Sequence, residues 1–247
     1  MTDWFSANGL ALNMEKTNIM KFTSSYHRNE TFQTTYHKKT LIGTNNIKFL
    51  GLELDKNISW KNHVQKIIPK LRSACYLVRR MYPCCTLDTL KMIYFAYFHT
   101  VMEYGIIFWG ISVGNKSIFQ HQKRIIRIMI GSTSRNSCRP LFCSLEILTL
   151  TSQYILSLMR FLSSNLDIFI FNTSVHKINT RLKLKLHKPT VRLTMYQKSA
   201  HCNNINIYNK LPGDNAELVL NKKRFLSQLK KYLIDKPFYS LDEYLNS

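Results

Sequence analysis

The sequence predicts an α+β fold, predominantly α, with a small antiparallel sheet near the N-terminus. Three observations carry this reading. Short strand-like stretches separated by turn residues occupy the chain before Asp55. Apolar residues then recur at helical spacing from Val64 onward, and a later segment, Lys116 to Ile130, is amphipathic along its whole length. At 247 residues with 45% hydrophobic content, the chain can bury a sizeable core as one large domain or two modest ones.

Asp3 to Asn8 reads as the last turns of a helix stopped by Gly9. A helix end that begins so abruptly is expected at the tail of something longer. Leu10 to Asn13 and Asn18 to Thr23 are expected as short strands. Thr31 to Tyr36 and Thr40 to Gly43 are expected to pair as a polar hairpin, with His37, Lys38 and Lys39 at the turn. Ile47 to Leu54 is expected as one strand closing this sheet, apolar through Phe49, Leu50, Leu52 and Leu54, with Gly51 admitting close approach of a neighbour. Asp55, Asn57 and Ser59 supply turn and cap chemistry before Trp60 opens a long helical pattern.

In that pattern Val64, Ile67, Ile68, Leu71, Cys75 and Val78 form an apolar face, while Lys66, Lys70 and Arg80 point elsewhere. Pro69 removes a backbone donor, so a kinked helix and two shorter segments are both open. Tyr82-Pro83 closes the element and Thr86 is placed to cap the next. From Leu87 to Trp109 apolar and aromatic residues surround the helical wheel, as in a buried central helix. Tyr94, Phe95, Tyr97, Phe98, Tyr104, Phe108 and Trp109 are therefore expected in the core rather than stacked on bases, and His99 with them.

In Lys116 to Ile130, Ile118, Phe119, Ile125, Ile126 and Met129 fall on one side. Lys116, Lys123, Arg124 and Arg127 cluster opposite, and Gly131 is the stop. Pro140 to Leu162 carries another helical pattern. Arg181 to Lys188 alternates strictly, with Arg181, Lys183, Lys185 and His187 on one face of an expected strand and Leu182, Leu184 and Leu186 on the other. Ile205 to Leu211 leads into a Pro212-Gly213 turn, and Lys222 to Leu233 is a last basic amphipathic helix. The Gly/Ser/Thr/Asn-rich flank of 135–139 suggests a domain boundary there.

Charge bounds the partner. The chain holds 35 Lys and Arg against 14 Asp and Glu, a net +21, and no acid occurs in 56–87, 104–145 or 168–213. Unneutralised charge of this density repels itself unless a polyanion is the working partner, and phosphate backbone is the natural candidate. The contact residues this points to are Lys66, Lys70, Lys116, Lys123, Arg124, Arg127, Arg181, Lys183 and Lys185. For a single lysine a solvated surface reads equally well, and the 181–188 cations also suit an edge strand guarded against pairing.

Six cysteines without a C-x-x-C pair or a signal peptide are expected as reduced thiols, with no metal site. The aromatic-rich run Ile93 to Val113 is interrupted by His99 and Glu103, so no membrane partner is expected. The expected location is intracellular, nucleus or cytoplasm, neither secreted nor transmembrane.

A set of short blocks stands in order along the chain: Trp4-Phe5, Asn8, Leu10, Leu12-Asn13, Lys16-Thr17 and Phe22, then Phe49-Leu50-Gly51, Asp55, Trp60 and His63. Tyr94, His99, Tyr104-Gly105, Trp109-Gly110, Gln122-Lys123-Arg124, Arg127, Tyr208-Asn209, Leu211-Pro212 and Phe238-Tyr239-Ser240 follow. In this order and spacing they resemble the C-terminal part of a reverse transcriptase from a non-LTR (LINE-like, jockey-type) retrotransposon. The resemblance implies that 1–58 is the end of the palm with a primer-grip-like hairpin, 59–135 a helical thumb, and 136–247 a basic C-terminal region. It places Lys16 near the incoming triphosphate, where a cation assists departure of pyrophosphate. Phe49-Leu50-Gly51 would be the primer grip holding the primer's 3′ end; an ordinary sheet residue beside a bulge is the other reading.

The family's two metals are held by paired aspartates just before the position of Trp4, and this sequence contains no Asp-Asp pair. Glu53 and Asp55 share a strand face and can in principle hold a divalent ion, though the resemblance argues against it. No catalytic residue is therefore assigned beyond an accessory Lys16. Mg²⁺ belongs to the intact family enzyme and no cofactor to this chain, which is expected to be inactive alone. The implied partners are RNA or an RNA/DNA template-primer and the missing fingers and palm of the same polyprotein. An inert relic of a decayed element and a host-co-opted RNA- or DNA-binding protein are the alternatives.

Overall fold

A computed structural model of the chain describes residues 2–11, 13, 15–23, 32–36, 39–175, 185–211 and 221–247. The fold is α+β and mostly helical, with two small antiparallel sheets. It divides into two compact units, Met1–His63 and Val64–Ser247.

The first unit opens with α1 (Thr2–Ala7). Gly9 takes φ 65°, and the amides of Gly9 and Leu10 return to Ser6 O and Phe5 O at 3.1 and 2.9 Å. This is the paired C-cap that the glycine announces. The strands expected at 10–13 and 18–23 are absent among the described residues; Ile19 alone makes an isolated bridge, to Gly43. Asn13 explains the first of these, because its side chain accepts from the amides of Glu15 and Lys16 at 3.1 and 3.2 Å and folds the chain into a turn.

β1 (Gln33–Tyr36) and β2 (Lys39–Ile42) pair antiparallel, Gln33 opposite Ile42. This is the expected polar hairpin, with Lys39 in the strand rather than the turn; Thr31, His37 and Lys38 lie outside the described residues. The single strand expected at 47–54 is instead a second hairpin, β3 (Asn46–Phe49) and β4 (Leu52–Asp55), and it forms its own two-stranded sheet. Leu50 and Gly51 take φ 46° and 81°, the two-residue loop whose twist matches antiparallel strands. The turn was hidden because apolar residues continue straight through it.

After β4 the Asp55 carboxylate accepts from the amides of Asn57, Ser59 and Trp60 at 3.1, 3.0 and 2.9 Å, and from the Ser59 hydroxyl at 3.1 Å. It thereby holds the turn and cap expected of these residues.

α2 (Lys61–Met81) runs unbroken through Pro69. In the second unit its buried face comprises Val64, Ile67, Leu71, Ala74, Cys75 and Val78. Thr86 caps α3 (Leu87–Ile93), accepting from the Thr89 amide. A π-helical segment, Tyr94–His99, follows, then α4 (Thr100–Glu103) and α5 (Ile106–Trp109). The expected buried central helix is corrected here: Tyr94, Phe98 and Trp109 are core, but Phe95, Tyr97, Tyr104 and Phe108 are exposed.

The inward row is Leu90, Tyr94, Phe98, Met102 and Ile106, a strict period of four. In an α-helix each four-residue step overshoots a turn by about 40°, so the row would rotate off the core. The wider π segment and Gly105, at φ 64°, turn it back.

α6 (Asn115–Ile130) has the expected buried face, and Gly131 ends it at φ 68°. The amides of Gly131 and Ser132 return to Ile128 O and Arg127 O at 3.2 and 2.9 Å. α7 (Arg139–Leu145) packs on α6 within the same unit, so the stretches 64–135 and 136–247 share one core.

α8 (Leu150–Ser164) is the centre of this unit. Short helices α9 (Asn172–Val175) and α10 (Thr194–Gln197) precede α11 (Ala200–Lys210), α12 (Lys222–Asp235) and α13 (Leu241–Leu245). α11 and α12 pack on α8. Of the expected strand at 181–188, residues 181–184 lie outside the described ones; Leu186 is buried, bridges Phe171, and has both backbone groups held by the Asn209 amide at 2.8 and 2.9 Å. No single described helix is long and apolar enough to cross a membrane. α7 and α8 together, bent by 52°, reach that length and composition, but most of their apolar residues are in the core.

Two carboxylates tie elements of this unit together. Glu103 accepts from Gln153 at 2.8 Å and pairs with His99 at 3.3 Å and Arg160 at 3.4 Å; Glu243 pairs with Arg139 at 2.7 Å. Hydrogen bonds, from His99 to Glu103 and from Arg139 to Glu243, hold both carboxyls below the ordinary glutamate range. A depressed carboxyl stabilises the fold fully above its unfolded value, about 4.3, and that contribution is lost as pH falls through the folded value. Thermal melts between about pH 6 and about pH 3 should therefore show Glu103→Gln/Glu243→Gln losing less stability on acidification than the parent. Parallel curves for the two proteins would refute the assignment.

Candidate nucleic-acid interface

α2 and α6 lie side by side. Gly114 permits their approach, since a Cβ there would meet Val64 Cγ1 at 2.7 Å. Further along, the Cys75 thiol donates to His121 O at 3.7 Å, and Arg72 Nε donates to His121 Nε2 at 3.3 Å. With His121 Nδ1 placed 2.8 Å from Ser117 O, the ring carries its hydrogen on Nδ1 and presents Nε2 to the guanidinium. His121 thus orients Arg72.

Between the helices is a depression of about 180 Å³ lined by Arg72, Cys75, Tyr76, Arg79 and Arg124. Arg72, Tyr76 and Arg79 stand at i, i+4 and i+7, one stripe of α2. Both walls come from acid-free windows of the sequence, so no carboxylate lines the depression. Its floor is an uncharged thiol. Burial pushes Cys75 up to about 11, and the charges of Arg124 and Arg79, which act the other way, do not overcome it.

The four cations expected on one face of α6 serve different surroundings. Arg124 lines the depression. Lys123 sits over the rings of Phe119 and Tyr239 at 4.9 and 5.6 Å, Arg127 donates to Asn136 O at 3.0 Å, and Arg139 covers Tyr239 at 4.2 Å. Lys116 is exposed at the start of α6. Lys66 and Lys70 are exposed on α2 but stand about 120° and 160° around the helix from Arg72. Lys185 is exposed beside Leu186, whereas Arg181 and Lys183 lie outside the described residues.

In the first unit Lys16 is exposed, and Phe49, Leu50 and Gly51 form the exposed tip of the second hairpin. Arg72, Tyr76 and Arg79 escaped the sequence reading as a group. Their i, i+4, i+7 spacing was the signal, obscured by the apolar face that defined the helix.

Asp55, one of the two carboxylates that share a strand face, does not present free oxygens to a divalent ion. Asp55 is buried with its oxygens taken by four donors, and among the described residues no three His, Cys, Asp or Glu side chains converge. What the fold and the depression define is a basic helical unit with an arginine-lined groove. No family model, curated protein or solved structure matches the chain.

Proposed function

We propose that this chain binds nucleic acid through its phosphate backbone, as part of a reverse transcriptase of the non-LTR retrotransposon type, and joins no nucleotides by itself. The observation that carries the reading is the acid-free groove, where Arg72, Arg79 and Arg124 come together from two helices. Guanidiniums are the side chains suited to phosphate, since their planar fork donates to two oxygens at once. The ordered blocks that resemble the family support the particular assignment. In it the exposed Phe49-Leu50-Gly51 tip offers its backbone to a primer strand, while the metal ligands for nucleotide transfer lie in another part of the enzyme.

Affinity for a labelled single-stranded RNA should fall linearly on a log–log plot against salt, with a slope of about −0.7 per phosphate neutralised. A flat response would remove the electrostatic argument. Primer extension with Mg²⁺ should show no incorporation. The relic reading, a chain unable to fold, predicts no cooperative melting; the apolar core of the second unit favours the folded reading.

A further inference from the structure

We propose that the depression between α2 and α6 is a seat for the terminal phosphate of a nucleic-acid strand, with the end base stacked on Tyr76. This deepens the nucleic-acid reading and rests on it.

Charge is the first argument. Arg72, Arg79 and Arg124 all line one small space, and no carboxylate is among its lining residues. An internal phosphodiester carries one negative charge, whereas a phosphate monoester carries about −1.5 to −2 near neutrality and offers three acceptor oxygens. Three arginines around one small space match the monoester better. A strand passing through would instead call for cations strung along its path.

Size is the second. The depression measures about 180 Å³. It falls below the roughly 300–1,000 Å³ of sites that take drug-sized molecules. A phosphate with a few waters fits, and a nucleoside must stay outside. Tyr76 meets that requirement, being 64% exposed and set between Arg72 and Arg79 on the same stripe. Its ring provides a stacking surface at the rim, which a base uses well and most peptide side chains do not.

The third argument is preparation. The Arg72 side chain is already oriented by His121, which reduces the ordering required when an anion arrives. The buried Cys75 thiol places no competing charge beneath it.

The full chain is titrated by fluorescence anisotropy with one short oligonucleotide in three forms: 5′-phosphorylated, 3′-phosphorylated and bearing hydroxyls at both ends. At least one phosphorylated form is expected to bind about tenfold tighter than the hydroxyl form, the scale of one added charge-assisted contact. Arg79→Ala and Arg124→Ala should each shrink that ratio toward one, whereas Lys230→Ala on α12 should leave the ratio as it is. Melting curves identify any variant that fails to fold, and Arg79→Lys and Arg124→Lys, which keep the charge without the fork, then supply the comparison. Equal, salt-dependent binding of all three forms would overturn the seat and leave the broader reading standing. No binding of any form would overturn both. Displacement of the end-phosphorylated strand by an equal concentration of a phosphoserine peptide would overturn the nucleic-acid assignment of the seat.

Discussion

Exchange of Gln122 for leucine is expected to lower the melting temperature by roughly 6–12 °C, the shift that about 3 kcal/mol produces in a unit of this size. Gln122 is fully buried on α6. Its Nε2 donates to Tyr94 Oη at 3.0 Å and Leu148 O at 2.9 Å, and its Oε1 accepts from the Leu150 amide at 2.8 Å. One side chain therefore connects α6, the π segment and the start of α8. Leucine leaves three buried polar groups without that partner, at about 1–3 kcal/mol each. Gln122→Met, which keeps the length and loses the same bonds, should behave alike. Thermal unfolding by circular dichroism checks both, and a variant melting within a degree or so of the parent would remove Gln122 from this role.

The second large effect is expected from Gly110→Ala. Gly110 follows α5 at φ −60° and ψ −20°, a conformation any residue adopts, so backbone strain is not the issue. The obstacle is steric. A Cβ would lie 2.5 Å from Tyr154 Cδ2 and 2.6 Å from Ile106 O. That carbonyl is held in place by accepting the Gly110 amide at 2.8 Å, and Tyr154 is packed in α8 at 1% exposure. Overpacking of a closed core costs about 1–3 kcal/mol and exceeds that where neither neighbour can yield. Tyr154→Leu removes the nearest ring atoms, so G110A and Y154L together should cost less than the sum of the two alone. Strict additivity in denaturant unfolding would show that the clash is not with Tyr154.

Local chemistry was legible in the sequence wherever one residue settles one piece of backbone. Gly9 and Gly131 stop helices, Thr86 caps one, Asp55 organises a turn, and α6 turns the expected side inward. Each of these outcomes depends on neighbours within a few positions, which a linear reading sees. The failures share a different cause. Apolar residues continue through the second hairpin, hydrophobicity says nothing of φ, and Leu50 is a residue that seldom takes the left-handed conformation. The Asn13 side chain competes for nearby amides, which an apolar strand pattern does not register.

The sequence alone determined that this is a basic, mostly helical chain with amphipathic helices, and that its acids avoid three long windows. Tertiary structure decided which cations meet. Arg72 and Arg79 join Arg124 because Gly114 lets α6 approach α2 at Val64, and Lys123 turns instead to Tyr239, far away in the chain. It decided equally that Phe95, Tyr97, Tyr104 and Phe108 face outward, since composition measures how apolar a helix is, while the neighbours packed against it determine which side is covered.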